Sequence, residues 1–249
     1  MATFKITLAY DGSDFVGWQR QPAGRSVQAL VEDALSRIES APVAVVGAGR
    51  TDAGVHALGQ VASATLTHPI DAAALRRALN ATLPSDVRVR VVEPAASDFN
   101  ARYAARAKTY RYRIVCSDII SPFDRRFAWH LAEPIDVIAM AEAAARLEGQ
   151  HDFAAFQSSG SDVATTVRGI LRSQLTCSTD VGGGEQIAYD VTGDGFLRHM
   201  VRTIVGTLVE VGAGRLAPDG LDGVVASRDR SRAGRTAPAH GLCLVEVTY

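Results

Sequence analysis

Lysine is almost missing from this 249-residue chain: Lys5 and Lys108 stand alone among 26 basic residues, and the rest are arginine. The formal net charge is −1, which argues against a surface that binds polyanions by bulk positive charge. Cysteine is scarce as well. Cys116, Cys177 and Cys243 are odd in number, far apart and free of any Cys-x-x-Cys spacing, which excludes a disulfide framework and fits a reducing cytoplasm. The six histidines show neither the HExxH pattern nor any paired spacing, so no metal is expected. No stretch approaches the roughly 18 consecutive apolar residues of a membrane span. The N-terminal Met1-Ala2-Thr3-Phe4-Lys5-Ile6-Thr7 runs straight into an alternating strand and lacks the apolar core of a signal peptide, so a cytoplasmic location without membrane contact is expected.

What is present is an ordinary globular composition, 47% hydrophobic and 21% charged, in a chain long enough for one large domain or two of usual size. Phe4, Ile6 and Leu8 alternate in a strand over 3–10, and Val27, Leu30, Val31, Ala34, Leu35 and Ile38 follow helical spacing behind a candidate N-cap, Ser26. Strands are expected near 43–48 and 58–66, a short helix from its Asp71 cap to Asn80, and a strand with Val87, Val89 and Val91 on one face. That order, β-α-β-β-α-β, is the split ferredoxin-like unit.

The second half repeats the order in pattern only. A strand over 109–116 precedes a helix from Asp136 to Leu147; strands near 167–176 and 186–192 flank the turn Gly182-Gly183-Gly184. A long helix is expected from about Phe196 to Val211, a shorter one after Pro218, and a closing strand from Leu242 to Tyr249. The expected fold is therefore α+β, two ferredoxin- or RRM-like halves with mainly antiparallel sheets side by side and a cleft between them. The boundary falls near 104–107, giving an N-terminal domain over 1–106 and a C-terminal domain over 107–249.

One loop stands out within this frame. An apolar run enters Gly47-Ala48-Gly49-Arg50-Thr51-Asp52-Ala53-Gly54-Val55-His56-Ala57, an apolar-polar alternation leaves it, and three glycines punctuate the turn around Asp52. Glycines permit positive φ and close approach of a bulky ligand to the backbone; Arg50 offers a cation for the carboxylate or for a phosphate. A solvated turn and a reactive carboxylate are both compatible with these residues. A P-loop is not, because Val55-His56 follows Gly54 where Lys-Ser/Thr is required. A dinucleotide fingerprint fails too, since Asp52 holds the place of its third glycine and a strand follows rather than a helix.

Three further features carry potential chemistry. Strand alternation in Lys108-Thr109-Tyr110-Arg111-Tyr112-Arg113-Ile114 puts Tyr110 and Tyr112 on one face, where a tyrosine is either half-buried packing or a platform for an extruded base. In Asp194-Gly195-Phe196-Leu197-Arg198-His199-Met200-Val201-Arg202-Thr203, Arg198 and Arg202 lie four apart and share a face of the expected helix. Finally, basic residues cluster at Arg102, Arg106, Lys108, Arg111 and Arg113, at Arg125 and Arg126, and at Arg228, Arg230, Arg232 and Arg235. Arginine forks match phosphate and stack on bases, so such clusters form a candidate RNA-facing stripe on a neutral protein.

Gly-Arg-Thr-Asp-Ala-Gly-Val-His-Ala around Asp52 resembles the catalytic signature of the tRNA pseudouridine synthases of the TruA family. Lys-Thr-Tyr-Arg-Tyr around Tyr110 is similar to that family's second motif, and the segment around Arg202 to its Phe-Leu-His-His-Met-Val-Arg-Asn string, with Arg198 and Thr203 replacing His and Asn. Weaker matches run from Tyr10-Asp11-Gly12 to Pro238-Ala239-His240-Gly241-Leu242, with Asn100 and Cys243 departing from the commoner His and Tyr. The resemblance implies an isomerase converting uridines 38, 39 and 40 of the tRNA anticodon stem-loop to pseudouridine, without cofactor or metal, as a homodimer whose subunits together cradle one tRNA. It implies Asp52 as nucleophile, Arg202 as the cation paired with it, and Tyr110 against the target uridine. Arg50 and Leu242 are expected to contact substrate, and Arg50, Arg102, Lys108 and Arg198 the RNA.

Two other classes compete. A passive RNA-binding module on paired RRM-like sheets would lack a use for a nucleophile motif, and the aromatic string such sheets employ is absent. A nucleosidase acting through Asp52 would ordinarily need a second carboxylate as acid/base partner, whereas the strongest neighbours in sequence are cations.

Overall fold

The computed structural model describes residues 1–249 apart from 159, 161, 162 and 180–183. In chain order the elements are β1 (Ala2–Tyr10), α1 (Val27–Glu39), β2 (Val46–Gly47), β3 (His56–Leu66), α2 (Ala72–Thr82), β4 (Val87–Ala95), β5 (Ala107–Cys116), β6 (Trp129–Leu131), α3 (Val137–Ala145), β7 (Gly149–Asp152), β8 (Val167–Thr179), β9 (Glu185–Gly193), α4 (Met200–Gly212), α5 (Gly220–Ser227) and β10 (Leu242–Thr248). The chain forms two units: Met1–Arg106 together with Cys243–Tyr249, and Ala107–Leu242. Among the described residues no helix is long and apolar enough to cross a membrane.

In the first unit β1 is the centre of an antiparallel sheet, paired with β3 on one side and β4 on the other. Phe4, Ile6, Leu8 and Tyr10 of β1 are buried, and Val31 and Leu35 of α1 and Leu75 and Leu79 of α2 fill the same unit's interior. Asp71 caps α2 by accepting from the Ala74 N–H. Ser26 occupies the N-cap of α1 but makes no side-chain cap bond: the Val27 and Gln28 N–H groups are taken by the carbonyls of Gly17 and Trp18. The strand entering the Asp52 loop is shorter than its apolar run suggested, only Val46–Gly47. The Gln28 amide and the Glu32 carboxylate of α1 instead occupy the Val45 carbonyl and N–H.

The residues of the closing strand from Cys243 onward belong to the first unit. β10 runs parallel to β3, with Cys243 opposite His56 and Leu244 opposite Ala57. Gly59 makes room for it, since a β-carbon there would lie 2.3 Å from the Val245 carbonyl oxygen. The chain end is tied down by the Arg106 N–H to the Thr248 carbonyl, and by the Tyr249 hydroxyl to the Ala101 carbonyl, at 2.8 and 2.9 Å.

The second unit holds the antiparallel order β5-β9-β8-β7, with the short β6 parallel to β5. Together with the sheet of the first unit this makes the protein a mainly antiparallel α+β structure. β6 and β7 come from stretches without alternation and add to the expected order. Asp136 caps α3 by accepting from the Ala139 N–H. Gly182 and Gly183 of the expected turn lie outside the described residues; Gly184 packs on Ser117.

α4 is buried along almost its whole length, with Arg202 and Glu210 as its only residues not fully enclosed. It starts at Met200, later than the expected Phe196, because His199 takes a left-handed φ of 62° and no helix can run through that residue. Arg198 therefore lies before the helix, and its expected shared face with Arg202 is corrected: its carbonyl accepts from the Ser158 N–H and its side chain is exposed.

Candidate active site

In the first unit the candidate nucleophile rides on a loop that is clamped from outside its own hairpin. Residues 11–18 fold back against it: Gly17 bridges to Asp52, the Trp18 N–H donates to the Thr51 carbonyl at 3.0 Å, and the Gly54 N–H to the Phe15 carbonyl at 3.3 Å. This closeness depends on glycine. A β-carbon on Gly12 would sit 2.0 Å from the Val55 carbonyl oxygen, and one on Gly17, whose φ is +112°, would sit 2.6 Å from the Thr51 carbonyl oxygen. The same segment is braced from behind by Arg25, which grips both carboxylate oxygens of Asp86 and lies over the Phe15 ring. The resemblance gave the segment from Tyr10 only as a weaker match; its place as a brace shows in the glycines it carries.

Beneath the loop is a dry layer of polar side chains. Tyr10, Thr51, His56 and Gln60 are all buried. The Gly12 N–H donates to His56 Nδ1 at 2.9 Å and Asp11 Oδ1 lies 3.2 Å from the same nitrogen, so the ring is held against this backbone. Asp52 itself is half-buried, while Arg50 is exposed and has no hydrogen bond or ion pair to any described residue. A rigid loop thus offers a carboxylate and, two residues earlier, a guanidinium to a ligand.

In the second unit Tyr110 of β5 is buried at 7% exposure, with its ring edge-on to Phe196 at 5.1 Å between centroids. Arg202 sits in the first turn of α4. A cation there opposes the helix dipole, so its place is not explained by helix stability. Its Nε donates to the Ala237 carbonyl at 2.7 Å, and the Ala237 N–H returns a bond to the Arg202 carbonyl at 3.0 Å. Two glycines bring that segment so near: β-carbons on Gly206 and Gly234 would lie 1.7 Å from the Arg235 carbonyl oxygen and 2.7 Å from the Gly206 backbone. Next to it Tyr112 donates to the Pro238 carbonyl at 2.8 Å, and burial drives its hydroxyl far above the usual phenol range, against the lowering effect of Arg202 and Arg235. Leu242, just beyond, is buried.

The arginine clusters divide. Arg111 is bidentate to Asp190, Arg113 bonds Asp124, Arg228 bonds Asp152, and Arg230 caps the carbonyls of Ala233 and Gly234. Those guanidinium groups are engaged by partners within the second unit. Arg102 is exposed against the Tyr103 ring, Arg198 is exposed with a long 3.5 Å contact to the Gly160 carbonyl, and Lys108 is half-buried on β5. No group of three or more His, Cys, Asp or Glu side chains among the described residues is arranged to hold a metal ion.

Comparison with known proteins adds to this geometry. The chain matches the family model described as tRNA pseudouridine synthase over residues 6–104 and 143–249. It is 47% identical over 251 residues to the tRNA pseudouridine synthase A of Moorella thermoacetica, covering 100% of both chains. To the protein of that name from Syntrophotalea carbinolica it is 47% identical over 250 residues, covering 100% of this chain and 97% of that one. The Geobacter sulfurreducens protein of the same name is 45% identical over 249 residues, with full coverage of both.

Proposed function

The chain belongs to the tRNA pseudouridine synthase A family, isomerases that convert uridine in tRNA to pseudouridine, and from that premise we propose that it acts on uridines 38, 39 and 40 of the anticodon stem-loop with Asp52 as nucleophile. The observation that carries the proposal is the Asp52 loop: a half-buried carboxylate on a backbone clamped by residues 11–18, with the exposed Arg50 beside it.

The chemistry asks for little more. The N1–C1′ bond breaks, the base turns, C5 joins C1′, the C5 proton leaves and N1 gains one. Nothing is oxidised and no group is imported, so no cofactor or metal is required. An aspartate carboxylate is ionised at neutral pH and needs only to be aimed. Asp52 forms the covalent bond to the nucleoside, at C1′ or at C6. Arg202, whose direction the Ala237 carbonyl fixes, is the cation that the family resemblance pairs with Asp52. Tyr110, braced by Phe196, gives the freed base an aromatic surface, worth roughly 1–3 kcal/mol in stacking; Leu242 adds an apolar contact. Extruding a stem uridine costs a few kcal/mol, and Arg50 is free to fill the vacated stack or to hold a phosphate. Arg102, Lys108 and Arg198 supply phosphate contacts. The enzyme works in the cytoplasm as a homodimer on tRNA.

The test uses unmodified tRNAs with a single uridine at 38, 39 or 40, incubated with the protein and read by carbodiimide adducts and primer-extension stops. Stops at each of the three positions are expected. Stops elsewhere in the tRNA would overturn the target assignment, and release of free uracil would mark a nucleosidase.

A further inference from the structure

A chain of four hydrogen bonds, three of them buried, reaches the two residues on either side of Arg50, just ahead of Asp52. Gln60, 0% exposed in the middle of β3, donates from Nε2 to the Gly49 carbonyl at 2.9 Å and reaches the Tyr10 hydroxyl at 3.4 Å. Its other amide atom, Oε1, accepts from the Val61 N–H at 3.2 Å, so both ends of the amide fix its orientation. The Tyr10 hydroxyl lies 2.8 Å from Thr51 Oγ1. The Gln60 nitrogen can only donate, and no other acceptor among the described residues takes the Tyr10 proton, so the proton passes to Thr51. Burial raises the Tyr10 pKa, which keeps that hydroxyl protonated.

A buried glutamine and tyrosine are not needed to fill this core. Methionine or leucine and phenylalanine would match their volumes, and hydrophobic packing does not require the polar atoms. What the polar atoms do is local: they hold the carbonyl of residue 49 and the side chain of residue 51, on either side of Arg50 and directly ahead of Asp52. We propose that Tyr10 and Gln60 are positioning residues that set the aim of Asp52 through Thr51 and Gly49. This rests on the reading of Asp52 as the nucleophile. The two residues touch no substrate; they act by restricting the loop, and a shift of about 1 Å in a reacting group can lower a rate about 100-fold.

The experiment compares Tyr10→Phe, Thr51→Val, their double variant, Gln60→Met and Thr51→Ser with wild type. It reads the single-turnover rate of pseudouridine formation at saturating tRNA, the Kd for tRNA, and the folded fraction by circular dichroism. Tyr10→Phe and Thr51→Val are each expected to slow turnover about tenfold with Kd changed by less than about twofold, the scale of one buried hydrogen bond. The double variant is expected to be no slower than either single one, and Thr51→Ser, which keeps the hydroxyl, to return the rate to near wild type. Gln60→Met is expected to slow turnover by a similar factor. The proposal is overturned if the double variant multiplies the single losses, if Kd rises while the rate holds, or if the losses vanish after correction for folded fraction. Asp52→Asn is run alongside: full activity there sinks the nucleophile reading, whatever the coupling between Tyr10 and Thr51.

Discussion

Replacing Gly17 by alanine puts a number on how tightly the Asp52 loop is held. Residue 17 has φ of +112°, where an L side chain is strained, and its new β-carbon would lie 2.6 Å from the Thr51 carbonyl oxygen, 3.2 Å from the Asp52 carbonyl carbon and 3.3 Å from the Ala53 nitrogen. All three are backbone atoms, so no side chain can swing aside. Reaching an ordinary contact of 3.4 Å means moving the loop or its clamp by about 0.8 Å. Strain at positive φ costs about 1 kcal/mol or more, and overpacking about 1–3 kcal/mol, so a loss of roughly 2–4 kcal/mol in unfolding free energy is expected. The displacement falls directly on the residues flanking Asp52, the proposed nucleophile, and turnover should drop by one to two orders of magnitude, roughly, even in the fraction that folds. Gly214→Ala is the matched control: its φ of +71° carries the same kind of strain, but nothing lies within 4 Å of its β-carbon. It should lose about 1 kcal/mol and keep its activity. Urea unfolding followed by tryptophan fluorescence, with the buried Trp18 beside the substitution, gives the stability, and single-turnover pseudouridine formation gives the rate. Wild-type turnover in Gly17→Ala, or an equal loss of turnover in Gly214→Ala, would refute the reasoning.

Gly206→Ala forces a β-carbon to 1.7 Å from the Arg235 carbonyl oxygen, so the 233–237 segment must leave α4 and Arg202 loses its Ala237 anchor; a loss of about 1–3 kcal/mol with a larger fall in kcat than in tRNA affinity is expected from urea titration and steady-state kinetics. Asp152 is held below the usual carboxylate range chiefly by the Thr166 hydroxyl, with the Ala154 N–H and Arg228 adding to it. Its folded-state pKa is depressed, so its contribution is present above the unfolded value near 4 and lost as pH falls through the folded one. Asp152→Asn should therefore lower the urea midpoint at pH 7, with the gap to wild type closing on acidification toward pH 3; a gap that widens on acidification would contradict the assignment. Burial pushes the Cys116 thiol up to about 11, whereas Cys177 is exposed; iodoacetamide at pH 7.5 should label Cys177 first, and peptide mapping reads the order.

How much of this was legible in the chain follows from the range of each interaction. Local devices were readable: the alternation of Phe4, Ile6 and Leu8, the caps Asp71 and Asp136, and the facing of Tyr110 and Tyr112 all depend on neighbours within a few residues. The helix start at Met200 was not, because the apolar spacing begins at Phe196 and nothing in the residue type of His199 announces its left-handed backbone. The parallel seat of β10 beside β3 links Cys243 to His56, and its only trace is the small residue at Gly59. The ion pairs within the arginine clusters were not readable, since charge counts do not reveal which guanidinium an aspartate such as Asp190 or Asp124 already holds. Of the candidate site, Asp52 was singled out by the resemblance of its motif to a family signature, since the loop alone fits a solvated turn as well; the clamp of residues 11–18 on it was hidden until Gly12 and Gly17 were seen against Val55 and Thr51.

The central claim is that one carboxylate, Asp52, carries the isomerisation, and the most direct measurement compares wild type with Asp52→Asn on an unmodified tRNA that has uridines in its anticodon stem. The amide keeps the size and the loop but cannot act as the nucleophile. Pseudouridine stops with wild type and none with Asp52→Asn, at equal tRNA affinity and equal stability, are the predicted result. Pseudouridine formed by Asp52→Asn at the wild-type rate would contradict it.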